Sequence, residues 1–188
     1  GDIMVHNEQQ LEAHRSPERF FTLWKPLAPF LSAADVTYGN LEAPVARGLD
    51  RNGHDRGDIG FRYDRIVYSG TDMVFNYHPQ VLTDLRKAGF DVLSTANNHT
   101  MDRGSIGIDR TLAELIRGQW HFTGSRKSDR TGSWATITRV KGKSLYWLAC
   151  TESLNGHEDR KRQVLNCFSD QPEIERLVQI ARREHDAI

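Results

Sequence analysis

The stretch from Pro79 to Ile116 constrains the fold more than any other part of the chain. Val81, Leu82, Leu85 and Ala88 recur on one helical face, and Gly89 is a natural helix stop. The apolar run at 90–95, FDVLST, then reads as a strand. Ile108, Leu112, Leu115 and Ile116 mark a second helix over 106–116. Between strand and helix sits Ala96-Asn97-Asn98-His99-Thr100-Met101-Asp102. An amide pair and an imidazole directly after a strand are either turn chemistry or a metal or phosphate site.

The remaining segments extend this alternation. Pro17 to Leu31 reads as a helix, with Ser16 as N-cap, Pro17 in its first turn, and Pro26 and Pro29 breaking or kinking its second half. Residues 34–40 read as a short strand. Residues 46–72 are rich in Gly, Arg and Asp and read as a long exposed excursion, a lid or a disordered segment, with His54 in solvent. Trp120-His121-Phe122 suggests a short strand. Residues 134–140 and 144–150 form a hairpin around Lys141-Gly142-Lys143, and 172–185 form a last amphipathic helix. This order argues for an α/β fold with a layered sheet in one domain of 188 residues.

Composition removes some function classes. Lys plus Arg numbers 25 and Asp plus Glu numbers 25, so no global field steers the chain toward nucleic acid or anionic lipid. No apolar run approaches the ~20 residues of a membrane helix. The first residues, Gly1-Asp2-Ile3, lack an initiator Met and suggest a chain cut from a longer one. Two cysteines, Cys150 and Cys167, make no disulfide framework and no zinc spacing, and Cys150 reads as a buried thiol at a strand end.

Ligands of open α/β sheets sit beyond the carboxyl ends of strands. Three polar groups occupy such positions here: Asp2 and His6, then Asn40 and Glu42, then Asn97, Asn98 and His99. Each alone has a structural explanation as a turn, a cap or a solvated charge. Together they offer the mixed oxygen and imidazole donors that Mg, Mn, Fe or Zn accept. Asp102 either caps the following helix or orients His99.

These same residues carry a resemblance. GDIMVH, GNLEAPV and AGFDVLSTANNHTMDRGSIGIDRTLAEL resemble the CapA/PgsA family of poly-γ-glutamate capsule biosynthesis proteins. FTGSR and LYWLACTESLNG resemble its later turn and strand, so the likeness runs from Gly1 to about Gly156. The resemblance implies a calcineurin-like metallophosphoesterase fold, an αββα sandwich, here expected to be incomplete at both ends. It implies one or two divalent ions on Asp2, His6, Asn40, Glu42 and Asn98, with His99 assisting the leaving group or the transition state. Asn97 and Asp102 would stand behind those ligands. The spacing departs from the superfamily pattern in two places: the first motif is Asp-x-x-x-His, and Asn40 stands where a bridging Asp would be. The late His motifs of that superfamily are also missing from these residues.

Three functions are compatible with this reading. The first is a metal-dependent hydrolase-type protein of capsule synthesis or export, acting on a phosphoester or a γ-linked amide, at the bacterial cell surface or in a membrane-bound complex. The second is a non-catalytic binder of an anionic polymer, with the arginines of 47–65 as a clamp. The third is a generic phosphoesterase such as a nucleotidase, for which Phe61, Tyr63 and Tyr68 would be the base-stacking candidates.

Overall fold

A computed structural model describes residues 1–188. Its centre is a four-stranded parallel sheet of β1 (Asp2–Ile3), β2 (Tyr38–Leu41), β5 (Val92–Ser94) and β6 (His121–Thr123), hydrogen-bonded in the order β1-β2-β5-β6. Between β2 and β5 the chain makes a small antiparallel pair, β3 (Ser69–Thr71) and β4 (Val74–Asn76), and then α4 (Gln80–Ala88). The crossover from β5 to β6 is α5 (Gly104–Arg117). Near the amino terminus lie α1 (Asn7–Arg15) and two single-turn helices, α2 (Phe21–Trp24) and α3 (Ala28–Leu31). A second antiparallel pair, β7 (Ala135–Val140) and β8 (Lys143–Leu148), and the helix α6 (Gln171–Glu184) complete the chain.

The layers follow from what each element buries. Val81, Leu82, Leu85 and Ala88 of α4 and Ile108, Leu112 and Leu115 of α5 share one core with Leu41 and Leu93 of the parallel sheet. Tyr38 of β2 stacks on Trp147 of β8 with ring centroids 5.5 Å apart, so the hairpin β7–β8 lies over the sheet rather than extending it. Beyond the hairpin, Trp134, Leu165 and Leu177 form a second, smaller core beneath α6. The order of layers is therefore helix, parallel sheet, hairpin, helix. It is a mixed α/β architecture of metallophosphoesterase-like type.

Gly89 shows how local chemistry places β5. Its φ of 102° is in the left-handed region, and the N–H groups of Gly89 and Phe90 return to the carbonyls of Arg86 and Leu85 to end α4. A Cβ at Gly89 would stand 2.6 Å from Ser32 Oγ. At the other hairpin, Lys141 and Gly142 both have positive φ, the two-residue turn whose twist matches antiparallel strands.

Several sequence expectations are corrected here. The helix over 17–31 is two separate single turns, because Pro26 and Pro29 remove the donors a continuous helix needs. Helix α1 was not anticipated: NEQQLEAHR buries only Gln10 and Ala13 and so carries almost no apolar periodicity. The excursion at 46–72 is exposed mainly between about 51 and 66, and again at Asp72. Its ends are anchored: Ala46, Leu49 and Val67 are buried, and the fully buried Asn76 side chain bonds the carbonyls of Ala46, Leu49 and Val67 at 2.9, 3.2 and 2.8 Å. His54 is exposed, as expected.

Cys150 is no free thiol. It is joined to Cys167, 17 positions later. Backbone bonds from Thr151 N–H to the Leu165 carbonyl (3.0 Å) and from Cys167 N–H to the Thr151 carbonyl (2.9 Å) lie beside the bond. A loop of this length closed by a disulfide contributes about 3 kcal/mol through the unfolded chain. Replacing both cysteines by serine is expected to lower the unfolding free energy by about that amount in urea titrations; a change below ~0.5 kcal/mol would contradict it.

Candidate metal centre

The parallel register brings the polar strand ends to one line. Asp2 lies opposite Asn40, and Asn40 lies opposite Ser94. Asn40 Nδ2 donates to Asp2 Oδ1 at 3.0 Å and to Glu42 Oε2 at 3.3 Å. Two carboxylates from neighbouring segments therefore meet at one amide nitrogen. Burial raises the Glu42 carboxyl above its ordinary range, the Asp2 charge raises it further, and His99 opposes them.

In the turn after β5, Asn97 makes two kinds of contact. Its Oδ1 accepts the His99 N–H at 3.1 Å, which is turn chemistry. Its Nδ2 reaches across to Asn40 Oδ1 at 3.1 Å and to the Leu41 carbonyl at 2.9 Å, which ties the turn to the carboxylate pair. The Thr100 hydroxyl closes the same turn by donating to the Thr95 carbonyl at 2.6 Å. Asn98 instead faces the rim, where its Nδ2 donates to Asn155 Oδ1 at 3.3 Å.

His99 is 1% exposed, and its Nδ1 stands 2.9 Å from Asp102 Oδ2. The same Asp102 oxygen accepts the Phe75 N–H at 2.7 Å. Asp102 thus orients the imidazole and is not a helix cap; Arg103 occupies that position. Burial raises the Asp102 carboxyl, while the bonds from Phe75 and His99 pull it back. Arg103 fixes the turn from behind: its guanidinium donates to Ser69 Oγ at 2.8 Å and to the Asp102 carbonyl at 3.0 Å. Burial lowers that guanidinium to about 10.

His6 stands apart from this network. Its backbone N–H donates to Gln9 Oε1 at 2.7 Å at the start of α1, and its ring meets Phe75 edge-on at 5.2 Å. His99 meets the same ring edge-on at 4.7 Å. Phe75, which contacts both imidazoles, and Asn155, on the rim, were not singled out from the sequence. Alternation in Val74-Phe75-Asn76-Tyr77 could have marked the first, since Phe75 and Tyr77 are fully buried. The Tyr77 hydroxyl accepts the Val5 N–H at 2.7 Å and holds the end of β1 in place.

No three His, Cys, Asp or Glu side chains are clustered closely enough to cage an ion by themselves. The fit to a cation rests on the donor chemistry that is present. Two oxygen anions repel each other across a shared amide, with further amides and an oriented imidazole beside them, and a divalent ion would relieve that repulsion. Phe61, Tyr63 and Tyr68 are engaged elsewhere: Phe61 packs on Phe20 and His78, Tyr68 on His78, and the Tyr63 hydroxyl bonds Asn7. Of the loop arginines, Arg47, Arg51 and Arg56 are already paired with Asp58, Asp72 and Asp50.

The parallel sheet with its flanking helices and covering hairpin defines a mixed α/β protein with a metallophosphoesterase-like fold. A model of the family described as bacterial capsule synthesis protein PGA_cap matches residues 1–186, and the chain belongs to that family. Two uncharacterized proteins of Sinorhizobium fredii (strain NBRC 101917 / NGR234), y4sH and y4uA, are each 27% identical over 127 residues, covering 68% of this chain and 25% of theirs. The capsule biosynthesis protein CapA of Bacillus anthracis is 21% identical over 174 residues, covering 93% of this chain and 39% of its own. The chain thus spans between a quarter and two fifths of the length of these relatives.

A carboxyl raised in the folded state binds more protons there than in the unfolded chain, so stability falls as pH rises through its folded pKa. Glu42→Gln, which removes the repulsion with Asp2 and keeps an acceptor for Asn40, is therefore expected to raise the melting temperature near pH 7 in chelator. The gain should shrink as pH falls through the raised folded pKa and vanish at about pH 3, below the ordinary glutamate pKa of ~4.3, where Glu42 is protonated in both states. A lower melting temperature at neutral pH would show that the two acids are not in conflict.

Proposed function

We propose that the chain carries a metal-dependent, hydrolase-type site that serves capsule biosynthesis. Membership of the capsule synthesis family supports the biological role. The single observation that carries the chemistry is the meeting of Asp2 and Glu42 at Asn40 beside the buried His99–Asp102 pair. Asp2, Glu42 and the amides of Asn40 and Asn98 are the residues that would hold one or two divalent ions, with His6 in reserve beside Phe75. Such an ion would polarise a phosphoryl or carbonyl oxygen and would lower the pKa of water.

The chain's own groups account for the rest. With Asp102 accepting from Nδ1, the other nitrogen of His99 would be the group that meets developing charge. Asn97 keeps the imidazole in register with the strand ends. The substrate class we favour is an anionic polymer or its precursor, cleaved or transferred at a phosphoester or a γ-linked amide. The disulfide fits an oxidising, extracytoplasmic setting at the cell surface, where a membrane-bound synthesis complex would be the partner. No helix of the chain is long and apolar enough to cross a membrane.

Two variants test this. Asp2→Ala is expected to abolish binding of Mn²⁺ or Zn²⁺ measured by calorimetry. His99→Ala is expected to retain metal affinity while losing about 100-fold in turnover of a phosphodiester or γ-glutamyl amide probe. Metal binding that survives Asp2→Ala, or turnover that survives His99→Ala, would overturn the assignment.

A further inference from the structure

A cavity lies away from Asp2 and Glu42, in the groove between α4 and α5. It encloses ≈ 440 Å³, within the range of small-ligand sites, and its walls include Arg47, Thr83, Arg86, Glu114, Arg117 and Trp120. Three guanidiniums thus face one carboxylate.

Glu114 is 7% exposed and is held from both sides, by Arg47 Nε at 2.8 Å and by Arg117 at 2.8 Å. The remaining donors of Arg47 are drawn to Asp58 and to the second Glu114 oxygen. Arg86 and Arg117 are less fully engaged. Arg86 lies on the Trp120 ring at 3.9 Å, and only one of its terminal nitrogens bonds protein, to the carbonyls of Gly118 and Gln119 at 3.3 and 3.2 Å. Those carbonyls follow Arg117 directly in the chain, so Arg86 of α4 reaches the end of α5 that carries Arg117, and both arginines line the groove. Burial, with the Arg47 charge behind it, lowers His78 to about 4, so that imidazole at the other end adds no positive charge at neutral pH.

We propose that Arg86 and Arg117 form a carboxylate-binding site at the Trp120 end of the α4/α5 groove, separate from the candidate metal centre. A guanidinium fork matches a carboxylate in two parallel bonds. The chain already displays this match internally, because Glu114 is a carboxylate gripped by two arginines of the same groove. A free carboxylate on an extended acidic chain would take the unused donors of Arg86 and Arg117, with Thr83 on the wall beside them. Trp120 keeps the Arg86 plane fixed, which reduces the ordering cost of binding.

The test is calorimetric titration of the intact chain with a short oligoglutamate peptide at low ionic strength, in chelator so that no metal contributes. Saturable one-site binding is expected, weakened about tenfold or more by Arg117→Gln and weakened again by 0.15 M salt. Arg117 is the decisive position because its exposed side chain can be changed without disturbing Trp120. Arg86→Gln, checked for folding by its melting curve, should weaken binding to a similar degree. Absence of saturable binding, unchanged affinity in Arg117→Gln, or displacement of the peptide by an equal concentration of inorganic phosphate would overturn the assignment. None of these results depends on whether Asp2 and Glu42 hold a metal.

Discussion

Parallel pairing in one register is the constraint on which the site depends. With Asp2 opposite Asn40 and Asn40 opposite Ser94, the residues that leave the sheet at each carboxyl end are forced into one neighbourhood. A shift of one residue in β2 would turn Asn40 to the opposite face and separate Asp2 from Glu42. The short strands are held in that register from outside the sheet. Tyr77 pins the end of β1 through the Val5 N–H, and Asn97 pins the turn after β5 to the Leu41 carbonyl.

The supporting shell is mostly polar and mostly buried. Phe75 connects β4 to the imidazole twice, once through its ring against His99 and once through its N–H on Asp102. Arg103 then ties the same turn to β3 through Ser69. The small β3–β4 pair, which looks peripheral in the sheet order, thus sets the orientation of His99. Removing Asp102 would strand both a buried imidazole and a buried backbone donor, each a loss of about 1–3 kcal/mol.

Much of this was legible in the sequence where a period repeats. The helical faces of Val81–Ala88 and Ile108–Leu115, the strand between them and the hairpin at Lys141-Gly142 followed from spacing alone. The polar residues at the strand ends followed from the rule that ligands of open sheets sit there. The rest depended on contacts that no local pattern encodes. Helix α1 is nearly polar throughout, and β3–β4 is made of three-residue strands held by Asn76, whose three long-range bonds lie 9 to 30 positions away in the chain. The Cys150–Cys167 pairing likewise needs the fold to bring two segments together, since two cysteines 17 positions apart read equally well as separate thiols. His6 likewise takes a place that spacing did not specify: it starts helix α1 and packs its ring on Phe75.

On the proposed function, an ion would sit between Asp2 and Glu42, which already meet at Asn40. Anomalous diffraction from a crystal soaked in Mn²⁺ tests it most directly. The account predicts a peak bonded to both carboxylates, at about 2.0–2.6 Å from oxygens of each. A peak elsewhere, or carboxylates that stay bridged by the Asn40 amide at saturating metal, would contradict it.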